Sequence, residues 1–256
     1  LEDVLLGVSL VKEISKKTSD YIVSFGEILS STILSEVLSA KLVDSRSLIK
    51  TNGEFGNAQV NFEVSNGLVK EYFAASTDNV HLLPGFISST VKGELSTLGR
   101  GGSDYTASIV AGALGAELLE IWTDVNGIMT ADPRKVEQAF TVPAVSYKEA
   151  MELSHFGAKV IYPPTILPVF KGGIPIRILN TFDPSAEGTL ISGTDDSDMP
   201  IKGISSIEKI ALLSLSGSGM VGIPGISSRL FGALSQAGVN IILITQASSE
   251  HSITLA

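Results

Sequence analysis

The sequence predicts an α/β fold, with a largely parallel central sheet flanked by helices and a smaller β-α-β-β unit after it. Three observations carry this reading. From residue 21 to about residue 201, apolar bursts of strand length alternate with stretches whose apolar residues recur at helical spacing. A stretch rich in Gly, Ser, Asp and Pro, TFDPSAEGTLISGTDDSDMPIKG, then reads as a linker. Beyond it, KIALLSLSG alternates, PGISSRLFGALSQAG carries a helical stripe, and VNIILIT and HSITLA read as strands. That order matches the opening of a ferredoxin-like βαββαβ unit, cut short before its second helix and last strand.

Taken in order, the chain opens on a helix-like stretch marked by Val4, Leu5, Val8 and Val11. It has neither an initiator methionine nor a secretory signal, and its natural N-terminus is expected to lie upstream. In SFGEILSSTILSEVL, Leu29, Ile33, Val37 and Ala40 keep helical spacing, and Ser24 with Glu27 fits a capping box. LVDSRSLI reads as a strand. NVHLLPGFISST and GELSTLG read as two strands joined by a turn through Lys92 and Gly93, which deliver the chain into TLGRGGSDYTA at 97–107. A helix follows, capped by Ser103 or Asp104, and its small residues Ala107, Ala111, Ala113 and Gly115 let it lie close to a sheet. LLEIWTD is a strand, Asn126-Gly127 a hairpin signal and ADPR an Asp-Pro turn. SYKEAMELSHFGAKVI opens with a second capping box, Ser146 to Glu149, and IPIRILN is a late strand. In the second unit, Ala211, Leu213 and Leu215 share a strand face. The helix there starts near Pro224, carries Ile226, Leu230, Leu234 and Ala237 on one stripe, and stops at Gly238.

Composition narrows the function. The 256 residues are 44% hydrophobic, enough for a substantial core. A net charge of −9 with no stripe of lysines and arginines argues against nucleic acid as a partner. The absence of cysteine removes disulfides and Cys-ligated metals. No run of roughly eighteen uninterrupted apolar residues occurs, so no bilayer span is expected. His155 and His251 have neither HExxH-type spacing nor a serine–acid partner, and no catalytic role is expected of them.

The three glycines of TLGRGGSDYTA let the backbone turn its N–H groups toward a bound group beside a helix N-terminus, which suits an anion. The spacing fits neither GxxxxGK[ST] nor a clean GxGxxG. Alone, the loop reads equally well as a tight turn with a solvated Arg100 and a first-turn acid at Asp104.

The order FGE, TLGRGGSDYTA, EIWTDVNGIMTADPR and MELSHFGAKVIYP resembles the aspartokinases of the amino-acid kinase family. GSGMVGIPGISSRLFGALSQAGVNIILITQASSEHSI resembles the first ACT regulatory domain of that family, closest to its threonine-regulated, dehydrogenase-fused members. The resemblance implies an amino-acid kinase catalytic domain at 1–200, lacking its N-terminal strand and loop, and a partial ACT domain at 201–256. It implies phosphorylation of the β-carboxylate of L-aspartate by ATP to 4-phospho-L-aspartate, the first step of lysine, threonine and methionine biosynthesis. Mg²⁺ would be held mainly by the nucleotide and water, with no protein ligand assigned.

By the same resemblance, Glu27, Arg100, Gly101, Gly102 and Ser103 bind substrate, Glu27 meeting its ammonium and Arg100 its carboxylate. Asp104 and Lys159 are the catalytic pair. Asp104 orients cationic groups around the transferring phosphoryl, and Lys159 reaches the phosphates. Thr123, Asp124, Met129, Asp132 and Arg134 line the nucleotide site with Lys159. Gly225, Asn240 and Gln246 hold an effector amino acid, threonine expected before lysine. A homodimer or higher oligomer through ACT domains, in the cytoplasm or in a plant plastid, is the expected setting.

The sequence also departs from the family. No KFGGTS-like segment is present, so this stretch alone is expected to be inactive. Met129 stands where an aromatic is common, and Tyr162 and Pro164 stand where a histidine and an arginine are usual. Two alternatives stay open: another kinase of the same fold, acting on acetylglutamate, glutamate or uridylate, or a non-catalytic amino-acid sensor.

Overall fold

The computed structural model describes residues 1–155, 160–194, 199–220, 222–246 and 252–256. The chain divides into two compact units, Leu1–Ser205 and Ser206–Ala256.

In the first unit, α1 (Glu2–Val11) precedes α2 (Lys16–Leu38), whose Ser15 hydroxyl caps the Thr18 N–H at 3.1 Å. The expected capping box at Ser24 and Glu27 is therefore replaced by an earlier start. Ser24 sits inside the helix and donates to the Tyr21 carbonyl. A polar stripe of α2 faces inward: Asp20, Ser24, Ser31 and Ser35 are buried, while Leu29, Ile33 and Val37 are 57–73% exposed. Serine hydroxyls can return to carbonyls of the preceding turn, as Ser31 and Ser35 do, so this face packs without unpaired groups. By length and composition, α2 is the one described helix that would pass as a membrane span. Its buried Asp20, bonded to the body of the domain, argues for packing on the sheet instead.

The stretch LVDSRSLI is not one strand. Asp44 caps the Arg46 N–H and turns the chain into α3 (Ser45–Leu48), between β1 (Lys41–Leu42) and β2 (Lys50–Thr51). α4 (Phe62–Ala75), capped by Asn61, leads to β3 (His81–Leu82), which pairs in parallel with β1. NVHLLPGFISST is not one strand: it is split into β3 and, in another sheet, β4 (Ile87–Thr90), which forms the expected antiparallel pair with β5 (Leu95–Thr97) turning at Gly93 and is joined in parallel by β2. Val43, Leu48, Ile49, Val69, Leu98 and Ile109 form the core of this half.

α5 (Gly102–Leu114) follows the glycine loop. Its close side keeps Ala111 and Ala113 of the expected row but not Gly115. Ala107 is exposed, and Thr106, Ser108, Ala111 and Ala113 are buried, with Gly112 so near the Pro168 carbonyl that a Cβ would come within 2.6 Å. β6 (Leu119–Thr123), β7 (Ala144–Ser146), α6 (Tyr147–His155), α7 (Ile166–Phe170), β8 (Ile176–Asn180) and β9 (Thr189–Ser192) complete the unit. The sheet order is β6-β8-β9-β7, with β6/β8 and β7/β9 parallel and β8/β9 antiparallel. β9 lies inside the expected linker. Thr189 and Ile191 alternate inward against Ile176 and Ile178, and that burial overrides the turn-rich composition around them.

Asn126-Gly127 makes no two-residue hairpin. Gly127 has φ +121°, and a Cβ there would stand 2.4 Å from Thr189 Oγ1, so the glycine serves a close approach. Thr189 Oγ1 accepts from Ile128 N–H at 2.9 Å and donates to the Val142 carbonyl at 2.7 Å. The Ser146–Glu149 box is formed: Ser146 N–H donates to Glu149 Oε2 at 2.7 Å, and Glu149 N–H to Ser146 Oγ at 3.3 Å.

The second unit holds β10 (Leu213–Ser216), α8 (Ile226–Gln236), β11 (Ile244–Gln246) and β12 (Ser252–Leu255), in the sheet order β10-β12-β11, all antiparallel. Gly225 with φ +86° caps α8, and Gly238 with φ +68° follows its end.

Candidate active site

The glycine loop is fastened from several sides. Asp20 of α2 is 2% exposed, and its carboxylate accepts from Thr97 N–H at 3.1 Å, Thr97 Oγ1 at 2.8 Å and Gly56 N–H at 2.9 Å. One buried anion thus fixes the end of β5, where the loop begins. Gly99 and Gly101 have φ +72° and +69°, and a Cβ on Gly101 would lie 2.5 Å from Tyr162 Cβ. On Gly102 it would meet Phe86 and Leu98 at 3.0–3.1 Å. Three glycines are needed because two backbones and an aromatic ring crowd the same turn. Ser103 and Asp104 do not cap α5. Gly101 occupies that position without a side-chain bond, which places Ser103 and Asp104 in the first turn.

These contacts bring two of the sequence motifs together, TLGRGGSDYTA and MELSHFGAKVIYP. Tyr162 ends the segment that begins SHFGAK, and Ser108 of α5 donates to the Thr165 carbonyl just beyond it. Lys159 lies outside the described residues, three positions before Tyr162. Glu27 is half-buried, two turns along α2 from Asp20 and at the i+7 position of its inward stripe. Burial raises the Glu27 carboxyl above its ordinary pKa, and burial does the same to Asp104. Neither carboxylate has a hydrogen bond to a described residue. Arg100 is exposed and makes no ion pair with a described residue. The loop therefore offers a cation and backbone N–H groups, with half-buried Asp104 in the first turn of α5 and half-buried Glu27 further along the helix whose Asp20 anchors it, a combination that suits a guest carrying both signs of charge. Burial, and then the neighbouring Tyr162 phenol, raise the Tyr105 pKa.

The nucleotide candidates sit at the carboxyl edge of the second sheet, where open α/β sheets bind ligands. Thr123 ends β6, and its hydroxyl donates to Asp124 Oδ1 at 3.2 Å. Thr181 N–H donates to the Thr123 carbonyl at 2.8 Å, and Asn180 bonds Asn126, so the β6 and β8 ends are tied together. Met129 bridges to Thr141. Asp132 shapes the Asp-Pro turn: it accepts from Arg134 N–H and Nε at 3.0 Å and from Nη2 at 2.9 Å. Those bonds hold the Asp132 carboxyl below its ordinary pKa. Among the described residues, no group of three or more His, Asp or Glu is placed to hold a metal ion.

Asp20 was not singled out by its sequence. The available signal was an acid on the same helical stripe as Ser24 and Glu27 in an otherwise apolar helix.

In the second unit, a cleft of about 350 Å³ opens between the N-terminus of α8 and β11 and β12. Gly225, Ser227, Gln246 and Met220 line it, with Ile253 at its base. Asn240 is exposed and does not line it.

The sequence matches the amino acid kinase family over residues 6–180 and the ACT domain over residues 213–256. It is 39% identical over 268 residues to the bifunctional aspartokinase/homoserine dehydrogenase 2, chloroplastic, of Arabidopsis thaliana, covering 100% of this chain and 29% of that protein. The structure resembles E. coli aspartokinase III in complex with aspartate and ADP (R-state), with TM-score 0.81 and 32% identity over 99% of this chain and 59% of that one. The same enzyme in complex with lysine and aspartate (T-state) gives 0.76 at 33% identity, with the same coverage of both chains. The chain thus spans under a third of the length of the plant relative. With the kinase match extending from α1 to the end of β8, the chain belongs to the amino acid kinase family.

Proposed function

We propose that this chain belongs to an aspartate kinase, a phosphotransferase with a carboxyl acceptor. It transfers the terminal phosphoryl group of ATP to the β-carboxylate of L-aspartate and is feedback-regulated by an amino acid bound in its ACT unit. The observation that carries the reading is the pinned glycine loop, with exposed Arg100 between positive-φ glycines and half-buried Asp104 in the first turn of α5. Phosphoryl transfer asks a protein mainly for positioning and for charge stabilisation, and a loop fixed by Asp20, Tyr162 and Phe86 provides the first.

Arg100 presents a planar fork to the substrate α-carboxylate, and Glu27 accepts from the α-ammonium. The N–H groups at the start of α5 face the acceptor carboxylate, with the helix dipole favouring its charge. Asp104 holds cationic groups against the transferring phosphoryl, and those cations stabilise its ionised form. Lys159 is assigned to the nucleotide phosphates, with Thr123, Asp124, Met129, Asp132 and Arg134 along the nucleotide. Mg²⁺ arrives with ATP and screens its phosphates. In the ACT unit, Gly225 offers the N-terminus of α8 to an effector carboxylate and Gln246 offers its amide, threonine being preferred to lysine. The relative from Arabidopsis is named chloroplastic, which favours a plastid if the source is a plant and the cytoplasm otherwise.

The test is to trap acyl phosphate as hydroxamate, using protein expressed from the complete reading frame that contains this chain. Aspartate, glutamate and acetylglutamate are assayed in parallel. Product with aspartate alone is expected. Product with acetylglutamate or glutamate instead, or none with any of the three, would refute the assignment.

A further inference from the structure

The segment through which the chain leaves the first unit has its burial inverted. Ile201 and Ile204 are 69% and 71% exposed, while the Lys202 side chain is 5% exposed. A lysine flanked by solvent-facing isoleucines has easy access to water, and burying its charge is costly unless it is paired. Lys202 Nζ lies 3.0 Å from Glu149 Oε2, the oxygen that also accepts from Ser146 N–H at 2.7 Å and Ser146 Oγ at 2.8 Å. Burial pulls the Glu149 carboxyl upward, and the Ser146 bonds with the Lys202 ammonium outweigh it, leaving Glu149 below its ordinary pKa.

Two further contacts fix the same segment. Ile204 N–H donates to the Thr130 carbonyl at 2.8 Å. Gly203 lies against α6 and the Met129–Thr130 backbone. A Cβ there would meet Leu153 Cδ2 at 3.2 Å and the carbonyl oxygens of Met129 and Thr130 at 3.5 Å. Residues 202–204 are therefore clamped to two elements at once: the TDVNGIMTADPR segment and the first turns of α6. The second unit begins two residues later, at Ser206.

We propose that Lys202 is a positioning residue for regulation. Paired with Glu149, it clamps the exit segment to the Met129–Thr130 backbone and to α6, so that an amino acid bound in the second unit changes nucleotide geometry through this clamp. The proposal rests on the aspartate kinase reading for its activity assay, and on effector binding alone for its structural assay. A ligand shifts a distant site only through a physical element that both sites bias, and this clamp is covalently continuous with one and hydrogen-bonded to the other.

The test uses the full reading-frame protein as wild type, Lys202→Met, Lys202→Arg, Glu149→Gln and the Lys202→Met/Glu149→Gln double variant. Hydroxamate formation is followed against threonine and lysine concentration. Lys202→Met is expected to keep the uninhibited kcat within about threefold while raising the half-inhibiting concentration about tenfold, within the usual range of allosteric coupling. Glu149→Gln should match it, the double variant should add nothing further, and Lys202→Arg should restore part of the sensitivity. Superimposable inhibition curves for wild type and Lys202→Met would overturn the proposal. If Lys202→Met folds poorly, Gly203→Ala gives the same reading. Its methyl presses on Leu153 without touching the ion pair, and unchanged inhibition there also overturns the proposal.

Amide hydrogen exchange at residues 128–131, with and without threonine or lysine, separates this idea from the activity assignment. An effector-induced change in wild type that is lost in Lys202→Met supports the clamp even if no aspartyl phosphate forms. The same change in both, or none in wild type, overturns it. Absence of hydroxamate from every substrate instead removes the kinase reading.

Discussion

Asp20→Ala removes the anion that fixes the start of the glycine loop, and its cost can be worked from three bonds. Gly56 is exposed, so its freed N–H finds water and contributes little. Thr97 is 2% exposed, and both its N–H and its hydroxyl lose their acceptor. At about 1–3 kcal/mol for each buried unpaired donor, offset in part by no longer burying the carboxylate, the net loss is about 3 kcal/mol. Asp20→Asn keeps one oxygen for the Thr97 and Gly56 N–H groups that share Oδ2 but loses the acceptor of the Thr97 hydroxyl, and should lose about 1–2 kcal/mol. In the Asp20→Ala/Thr97→Val double variant the orphaned hydroxyl is gone, so the two losses should fall short of additivity by about 1 kcal/mol. Urea unfolding followed by fluorescence of Trp122, the only tryptophan, reports on the first unit alone. With a slope of about 2–3 kcal/mol/M, the Asp20→Ala midpoint should drop by about 1–1.5 M. A midpoint within 0.2 M of wild type, or full additivity in the double variant, would refute the assignment of Asp20 as the loop's anchor.

Other consequences follow from the same geometry. Gly101→Ala forces a left-handed alanine into contact with Tyr162 Cβ, an atom too near the backbone to swing away. A loss of about 2–4 kcal/mol in urea unfolding is expected, and wild-type stability would contradict the crowding. Asp104 carries a folded-state pKa raised by burial, so the folded state binds its proton more readily than the unfolded state. Stability therefore declines as pH rises from the ordinary carboxyl value through the raised one. Asp104→Asn should accordingly raise Tm at pH 7, with the gain vanishing below that window, while phosphotransfer falls a hundredfold or more. A variant less stable at pH 7 would show that the Asp104 charge is already compensated. Gln246→Ala should weaken effector binding by calorimetry about tenfold and leave uninhibited kcat unchanged, whereas unaltered heat would place the effector outside the cleft at the start of α8.

The loop–helix junction, β8, the Ser146–Glu149 box and α8 were legible in the sequence because each is specified locally: glycines at positive φ, a β-rich run, a reciprocal cap and an apolar stripe. The failures share a different cause. Ser24 and Glu27 have the spacing of a capping box, but whether a serine caps or bonds back into its own helix depends on the start at Ser15. LVDSRSLI is apolar enough for a strand, yet Asp44 supplies the cap that turns it helical. β9 is hidden in turn-rich composition because burial of Thr189 and Ile191 comes from its place between β8 and the sequence-distant β7. Asp20 bonds a residue 77 positions away, a distance at which spacing carries no signal. At the site, the residue types of the glycine loop were readable. Its crowding by Tyr162 and Phe86 was not, because close approach is a property of the packed chain.

In the proposed enzyme the glycine loop presents Arg100 to the carboxylate of an acidic amino acid beside the transferred phosphoryl group. Steady-state kinetics of Arg100→Ala in the full reading-frame protein tests it most directly. The KM for aspartate should rise by about a hundredfold or more, as for loss of a bidentate charged pair, with the KM for ATP changed less than about threefold. An unchanged KM for aspartate, or an equal rise for both substrates, would contradict it.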